Sequence, residues 1–312
     1  MKHLIVNADD LGISRGTNRA IAAAFEHGVL TSASLMINMP ATDDALRLIR
    51  DQPELQVGLH ACLTCGPSIL PRDRVSLLVD EAGHFRHSFV GLWRLLRSGQ
   101  RAAALRQIEA ELHGQWFAAR RRGLALSHID SHQHVHMLPG LFSIVAALGR
   151  EAGVPVRIST EPLRLRALTV GDRVATRAAV GCMKVGLLNH LARRVAARGQ
   201  AAARSDHCFG ILHSGRMTAP VLRYLIVTLP NGLVELITHP SQEGPREDAG
   251  SLSAEDRDFL FSPYRRQEYG ALLDQEVRGL IEQCGISLLR GHGKIAGKPD
   301  FSRYRAAFLP AA

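Results

Sequence analysis

Leu4-Ile5-Val6-Asn7-Ala8-Asp9-Asp10-Leu11-Gly12-Ile13-Ser14 changes character twice within eleven residues. Residues 4–8 read as a short apolar strand, and Asp9, Asp10 and Gly12 as the loop it runs into. Ser14 is placed to cap a helix through Ala20, Ile21, Ala24 and Phe25, which Gly28 closes. Strand, acidic loop and capped helix form one strand-helix unit, and the same rhythm continues outward. Further strands are expected at 32–37, 56–60, 126–135, 154–158, 234–238 and 286–289, and helices at 42–50, 101–122, 140–151, 219–229 and 267–284. Strands linked by crossover helices pair in parallel. The expected fold is therefore α/β: a (β/α) barrel, TIM-like with about seven strands.

Such a barrel uses roughly 200–300 residues as one unit, and no Ser/Gly-rich or Pro-rich linker divides this chain of 312 residues. A single domain over 1–312 is expected, with an insertion at about 64–98 and a basic helical segment at about 164–204. The latter matches either an outer barrel helix or a basic amphipathic membrane-surface helix, and the barrel helix is favoured. Residues after Gly291 show no pattern.

Polar residues interrupt the N-terminal apolar run before a secretory h-region is complete, and no stretch of about 18 apolar residues is free of charge. Five cysteines, an odd number, fit a reducing compartment; a cytoplasmic protein is expected. Cys62 and Cys65 lack the second pair that a zinc ribbon needs and the context of a thioredoxin motif, and are read as incidental thiols. The net charge of +9 would attract nucleic acid, an anionic membrane or an acidic glycan. With 5% aromatic residues and no nucleic-acid motif, a solvated basic face is preferred and nucleic acid is not an expected partner. A homodimer is only a general prior for soluble proteins.

The chemistry concentrates in Ser127-His128-Ile129-Asp130-Ser131-His132-Gln133-His134-Val135-His136, where every even position from 128 is His or Asp. An extended segment would turn all of these groups to one face. Burying them without partners would cost several kcal/mol, by order of magnitude, whereas a divalent cation organises them. The alternatives are a hydrogen-bonded polar network, or a strand that stops near His132 and lets the rest splay into a loop. Asp9 and Asp10, His60, His132 and His239 all fall at the ends of separate expected strands, so a closed barrel gathers them at one mouth.

Four motifs occur in order: Asn7-Ala8-Asp9-Asp10-x-Gly12, Gly58-Leu59-His60-x-x-Leu63-Thr64, His128-x-Asp130-Ser131-His132-x-His134-x-His136 and Thr238-His239-Pro240. Together they resemble the YdjC-type carbohydrate deacetylases, the family typified by chitooligosaccharide deacetylase. The resemblance implies a barrel hydrolase of carbohydrate metabolism that removes acetyl groups from N-acetylglucosamine-containing oligosaccharides, polysaccharides or glycoconjugates. It implies that Asp10, His60 and His132 hold one divalent metal ion, that Asp9 is the general base and that His239 is the general acid. The family is described with magnesium, whereas two imidazoles and a carboxylate suit zinc better.

Asp130 is expected to fix an imidazole tautomer behind the metal. His134 and His136 are left between substrate contacts, support of the ligands and simple loop polarity. Arg157 and Glu161, just past a strand end, are candidates for substrate contact or for a surface ion pair. Leu11 stands where the family often has an aromatic residue, and the Arg-rich segment matches no family motif, which leaves the exact sugar open. A metal-dependent phosphoesterase is the enzymatic rival, though it usually needs two bridged metals. A non-catalytic glycan- or metal-binding barrel is the other, and retention of Asp9 argues against it.

Overall fold

The computed structural model describes residues 1–163, 175–196, 203–250 and 252–289. In chain order the elements are β1 (Lys2–Leu11), α1 (Arg15–His27), β2 (Ser32–Leu35), α2 (Thr42–Asp51), β3 (Gln56–Ala61), α3 (Phe89–Leu95) and α4 (Arg101–Arg121). They continue with β4 (Ile129–Ser131), α5 (Leu141–Ala152), α6 (Ala175–Ala196), β5 (His207–Phe209), α7 (Ala219–Val227) and β6 (Gly232–Thr238). Last come α8 (Ala254–Leu260), α9 (Pro263–Leu273), α10 (Gln275–Gln283) and β7 (Ile286–Leu288). Among the described residues no helix is long and apolar enough to cross a membrane.

All strand pairs are parallel, in the order β4-β3-β2-β1-β6-β5, with β7 beside the start of β1. The two sheet edges approach each other, because Val156 bridges Ile129 on one side and Ala203 on the other. The sheet therefore curls as the strand-helix rhythm implied.

Alternation along the strands sorts side chains into two layers. Leu4, Val6 and Ala8 of β1 join the apolar faces of the helices in one core cluster, for example through Ile21 and Ala24 of α1. Ile5, Leu233 and Leu289 form a small apolar floor inside the curl. Above that floor the interior is polar: Asn7, Ser32, Ser34, His128, Arg157, Arg204 and Glu235 are all buried. Room for one of them comes from Gly58, where a Cβ would lie 2.3 Å from the His128 ring.

Ser14 caps α1 as expected, its hydroxyl accepting from the Thr17 amide at 3.1 Å. Three expectations change. The strand expected over 126–135 ends at Ser131, and His132–Met137 form tight 3-10 turns with left-handed backbone at Gln133 (φ 53°) and His134 (φ 57°). Alternating His residues imitate strand periodicity, but the turn breaks it, so the five polar groups do not share one face. The strand expected at 154–158 reduces to the bridges of Val156. The helix expected at 267–284 is two helices, because Asp274 adopts extended backbone and caps α10 through the amides of Glu276 and Val277. Strand β5 and helix α8, without amphipathic signals of useful length, had no counterpart in the sequence reading.

The 64–98 segment carries α3 and packs Val75, Leu78, Phe85 and Leu92 into the main core. Of the basic stretch 164–204, residues 164–174 and 197–202 lie outside the described residues, as does the tail beyond residue 289.

Candidate active site

At the end of β1 two adjacent carboxylates serve one site. Consecutive strand residues normally face opposite sides, but Asp10 has φ 68°, a left-handed backbone that L side chains rarely adopt. The Asp9 carboxylate turns into the curl, where the Arg157 guanidinium grips it with two bonds of 2.8 Å and Asn7 adds a third of 2.7 Å. Asp10 Oδ1 faces His132 Nδ1 at 3.1 Å and His60 Nε2 at 3.5 Å, while Oδ2 accepts from buried Arg265 at 3.0 Å. Burial works against a charge on Asp10, yet His132, His60 and Arg265 hold its carboxyl well below the usual range.

His60 comes from the end of β3, and its other ring nitrogen, Nδ1, meets Asp130 Oδ1 at 2.8 Å. Burial opposes protonation of His60, but Asp130, Asp9 and Asp10 overcome it and raise the imidazole to about 10. Asp130 is further held by Ser34 and by Arg157 at 2.7 Å each. Potential ligand atoms from Asp10, His60 and His132 all lie within 4.8 Å of one another, so these three can hold a metal ion. Three carboxylates (Asp9, Asp130 and Glu235) surround two guanidiniums (Arg157 and Arg204) in this interior. The carboxylates that raise His60 and His132 offer the same negative field to a divalent cation in place of the imidazole protons.

A cavity of about 540 Å³ opens over these groups, lined by Asp9, His60, His132, His134, Lys184 and His239 among others. His239 follows β6; its ring stands edge-on to Phe259 at 5.4 Å, its buried Nδ1 has no partner among the described residues, and its backbone amide donates to Glu268. Burial pushes the His239 imidazole down to about 4 and the Glu268 carboxyl up to about 7. The outer wall is apolar: Val90 of α3, and Val180 and Met183 of α6, line the cavity although each is about half exposed or more.

The remaining expected residues separate. His134 lines the cavity, with Nδ1 at 3.0 Å from Ser159 Oγ. His136 is enclosed between Ser131 Oγ at 2.6 Å and the Arg157 carbonyl at 2.9 Å. Arg157 is fully buried, and its bonds to Asp9, Asp130 and Glu235 exclude the surface ion pair considered for it. Glu161 is also buried rather than on the surface; its carboxylate accepts from the Ile211 and Leu212 amides, and burial pushes it up to about 7. Neither lines the cavity wall. Arg204, read as part of a solvated basic face, instead lies inside the curl, bonded to Asn7, Ser32 and Glu235.

Sequence reasoning missed Lys184, Asp256, Arg265 and Glu268, all of which come from helices. Lys184 stands on α6 and lines the cavity, and Asp256 sits in the first turn of α8. None belongs to a motif. The one available signal was Tyr264-Arg265-Arg266-Gln267-Glu268, which turns Arg265 and Glu268 to one helix face, three residues apart.

The curled parallel sheet with its crossover helices defines an α/β half-barrel, and its mouth brings together Asp10, His60 and His132, which could hold a metal ion. More narrowly, the chain belongs to the family of YdjC-like proteins, whose model matches residues 3–283. It is 44% identical over 158 residues to a carbohydrate deacetylase of Geobacillus stearothermophilus, a match covering 50% of this chain and 59% of that one. A carbohydrate deacetylase of Brevibacillus brevis is likewise 44% identical over 154 residues, 49% of this chain and 58% of its own. The match thus spans less than two thirds of these curated relatives. The crystal structure of a proposed cellobiose-phosphate cleavage protein from Enterococcus faecalis V583 superposes with a TM-score of 0.69 at 25% identity, covering 92% of this chain and 97% of that one.

Proposed function

We propose that this protein is a metal-dependent hydrolase that removes the acetyl group from an N-acetylated amino sugar. The observation that carries the reading is the convergence of Asp10, His60 and His132 beside a cavity that His60, His132, Asp9 and His239 line. Two relatives named carbohydrate deacetylase, at 44% identity, support the substrate class.

Asp10, His60 and His132 would hold the ion. When bound there, a divalent ion lowers the pKa of water toward neutrality and draws charge from a carbonyl oxygen. Asp130 fixes the His60 ring through Nδ1, leaving Nε2 for the ion. Asp9 removes a proton from the attacking water. The Arg157 fork and Asn7 hold its carboxylate in place; Oδ1 accepts from both, whereas Oδ2 accepts from Arg157 and keeps a further lone pair for that proton. The sugar nitrogen leaves only if it is protonated as the C–N bond breaks, and His239 delivers that proton. Its imidazole, neutral at rest because of burial, must first take up a proton from solvent; it is then a strong acid, and Asp9 returns the proton of the attacking water to solvent, so that the two transfers balance. The apolar outer wall of Val90, Val180 and Met183 favours a glycoconjugate with an apolar aglycone over a free oligosaccharide.

The test is acetate release from N-acetylglucosamine oligosaccharides and lipid-linked N-acetylglucosamine, using metal-stripped protein and protein restored with zinc, magnesium or cobalt. Metal-dependent release is expected. Asp9→Asn should lower turnover by roughly 100-fold or more while metal binding survives. Cleavage of phosphate esters with no acetate release from any substrate would overturn the reading.

A further inference from the structure

His132 faces two ligand sets, one on each ring nitrogen. Nδ1 looks toward Asp10 at 3.1 Å, whereas Nε2 looks the other way, toward Asp256 Oδ1 at 3.5 Å. On that second side lies Cys65, and ligand atoms from Cys65, His132 and Asp256 fall within 4.8 Å of one another, all from buried residues. Tetrahedral zinc ligands at about 2.0–2.3 Å from the ion stand about 3.3–3.8 Å apart, so the His132–Asp256 separation already fits. We propose that Cys65, His132 and Asp256 form a second site, selective for a thiophilic divalent ion such as zinc.

The parts of this site are held in place by other bonds. Asp256 uses Oδ2 to accept from Ser253 Oγ at 2.7 Å in the cap of α8, which leaves Oδ1 turned toward His132. The Cys65 backbone is anchored where its carbonyl accepts from Asn38 Nδ2 and Cys62 Sγ, each at 3.1 Å. A thiolate ligand excludes magnesium, which prefers oxygen, and favours zinc or cobalt. Binding releases the Cys65 thiol proton to solvent.

The two sets compete. A neutral imidazole has one lone pair, so an ion on Nε2 leaves the proton on Nδ1, facing Asp10, and withdraws His132 from the Asp10/His60 set. This consequence rests on the metal role proposed above for that set, whereas the existence of the second site does not. Zinc therefore divides between a position that supports hydrolysis and one that does not.

Cobalt titration of the full chain tests the site directly, since only a thiolate ligand produces a sulfur-to-cobalt charge-transfer band in the near ultraviolet. The band is expected in the wild type and in His60→Ala, and absent from Cys65→Ser; circular dichroism checks that each variant is folded. Asp256→Asn keeps the thiol and should weaken the cobalt ion responsible for the band by at least about tenfold, the lower end of what even outer-shell partners cost. No band in the wild type, or a band that survives in Cys65→Ser, overturns the proposal. A Cys65-dependent band without acetate release would leave this site standing and sink the deacetylase reading. With both in place, Cys65→Ser should release acetate faster than the wild type at limiting zinc.

Discussion

The layer between strands and helices and the interior of the curled sheet are built from opposite materials. Outside, Leu4, Val6 and Ala8 pack on Ile21 and Ala24 in a continuous apolar cluster. Inside, apart from the floor of Ile5, Leu233 and Leu289, the space that strand-helix barrels usually fill with Val, Ile and Leu holds Arg157, Arg204, Glu235, Asp130 and Asn7. The apolar layer needs only volume and pattern. The ionic interior needs each charge placed, because a buried ion without its partner costs far more than a lost contact. Stability outside is spread over many residues, whereas inside it is concentrated in a few, and those few also position Asp9 and His60.

The sharpest way to break this contrast is Arg157→Met, which strips Asp9, Asp130 and Glu235 of their shared guanidinium. A loss of roughly 3–5 kcal/mol is expected from breaking such a buried network, read by urea unfolding. Activity should fall with it even under conditions where the protein stays folded.

A second probe is the pH dependence of metal-free protein. His60 is raised to about 10 when folded, so its contribution is complete below about 6.5, its unfolded value, and fades as pH rises toward 10. His136 and His239, lowered to about 4 by burial, act in the opposite direction: the unfolded chain gains protons first, and stability drops as pH falls from about 6.5 toward 4. Glu161 and Glu268, raised to about 7 by burial, offset that loss, because the folded chain binds their protons first as pH falls toward 4.5; urea midpoints of chelator-treated protein should therefore decline clearly on the alkaline side and change little between about 6.5 and 4.5. His132 is raised as well, by Asp10 and Asp256 against the opposing effect of burial, so His60→Asn should shrink the alkaline decline without abolishing it; an unchanged decline would show the assignment to His60 to be wrong.

In the apolar layer, Ile21→Val should cost only roughly 0.5–1.5 kcal/mol, with acetate release unchanged. At the exposed wall of the cavity, Met183→Ser should shift stability by less than about 0.5 kcal/mol. It should raise KM for an amino sugar with an apolar aglycone and leave KM for a free oligosaccharide alone. Equal effects on both substrates would remove the apolar wall from the specificity argument.

The same contrast explains what could be seen in the sequence. The apolar layer writes its periodicity into the chain, so α1, α2, α4 and the strands around β1 were placed within a few residues. The mouth was legible where a motif ended a strand, at Asp9, Asp10, His60 and His239. The interior was not. Arg204 looks like any other arginine in a basic stretch, and only the fold brings it to Asn7 and Glu235. Lys184, Asp256 and Arg265 reach the site from helices whose patterns report their packing faces and not what their polar residues touch. Alternation favours a strand over 126–135, and the alternative of a strand that stops near His132 is the one the structure adopts; the left-handed turn at Gln133 and His134 leaves no mark in residue type that would have decided between them.

One absent methyl group links distant parts of the chain. Because a side chain at position 58 would occupy the space of the His128 ring, the two residues form a single choice: a bare backbone at one permits an imidazole at the other. A protein engineer repacking this interior with aliphatic residues would have to change both together. Gly58→Ala alone should expel the ring from its contact with Ser34 and disturb the strand that carries His60, whereas the same change combined with a smaller residue at 128 should be accommodated.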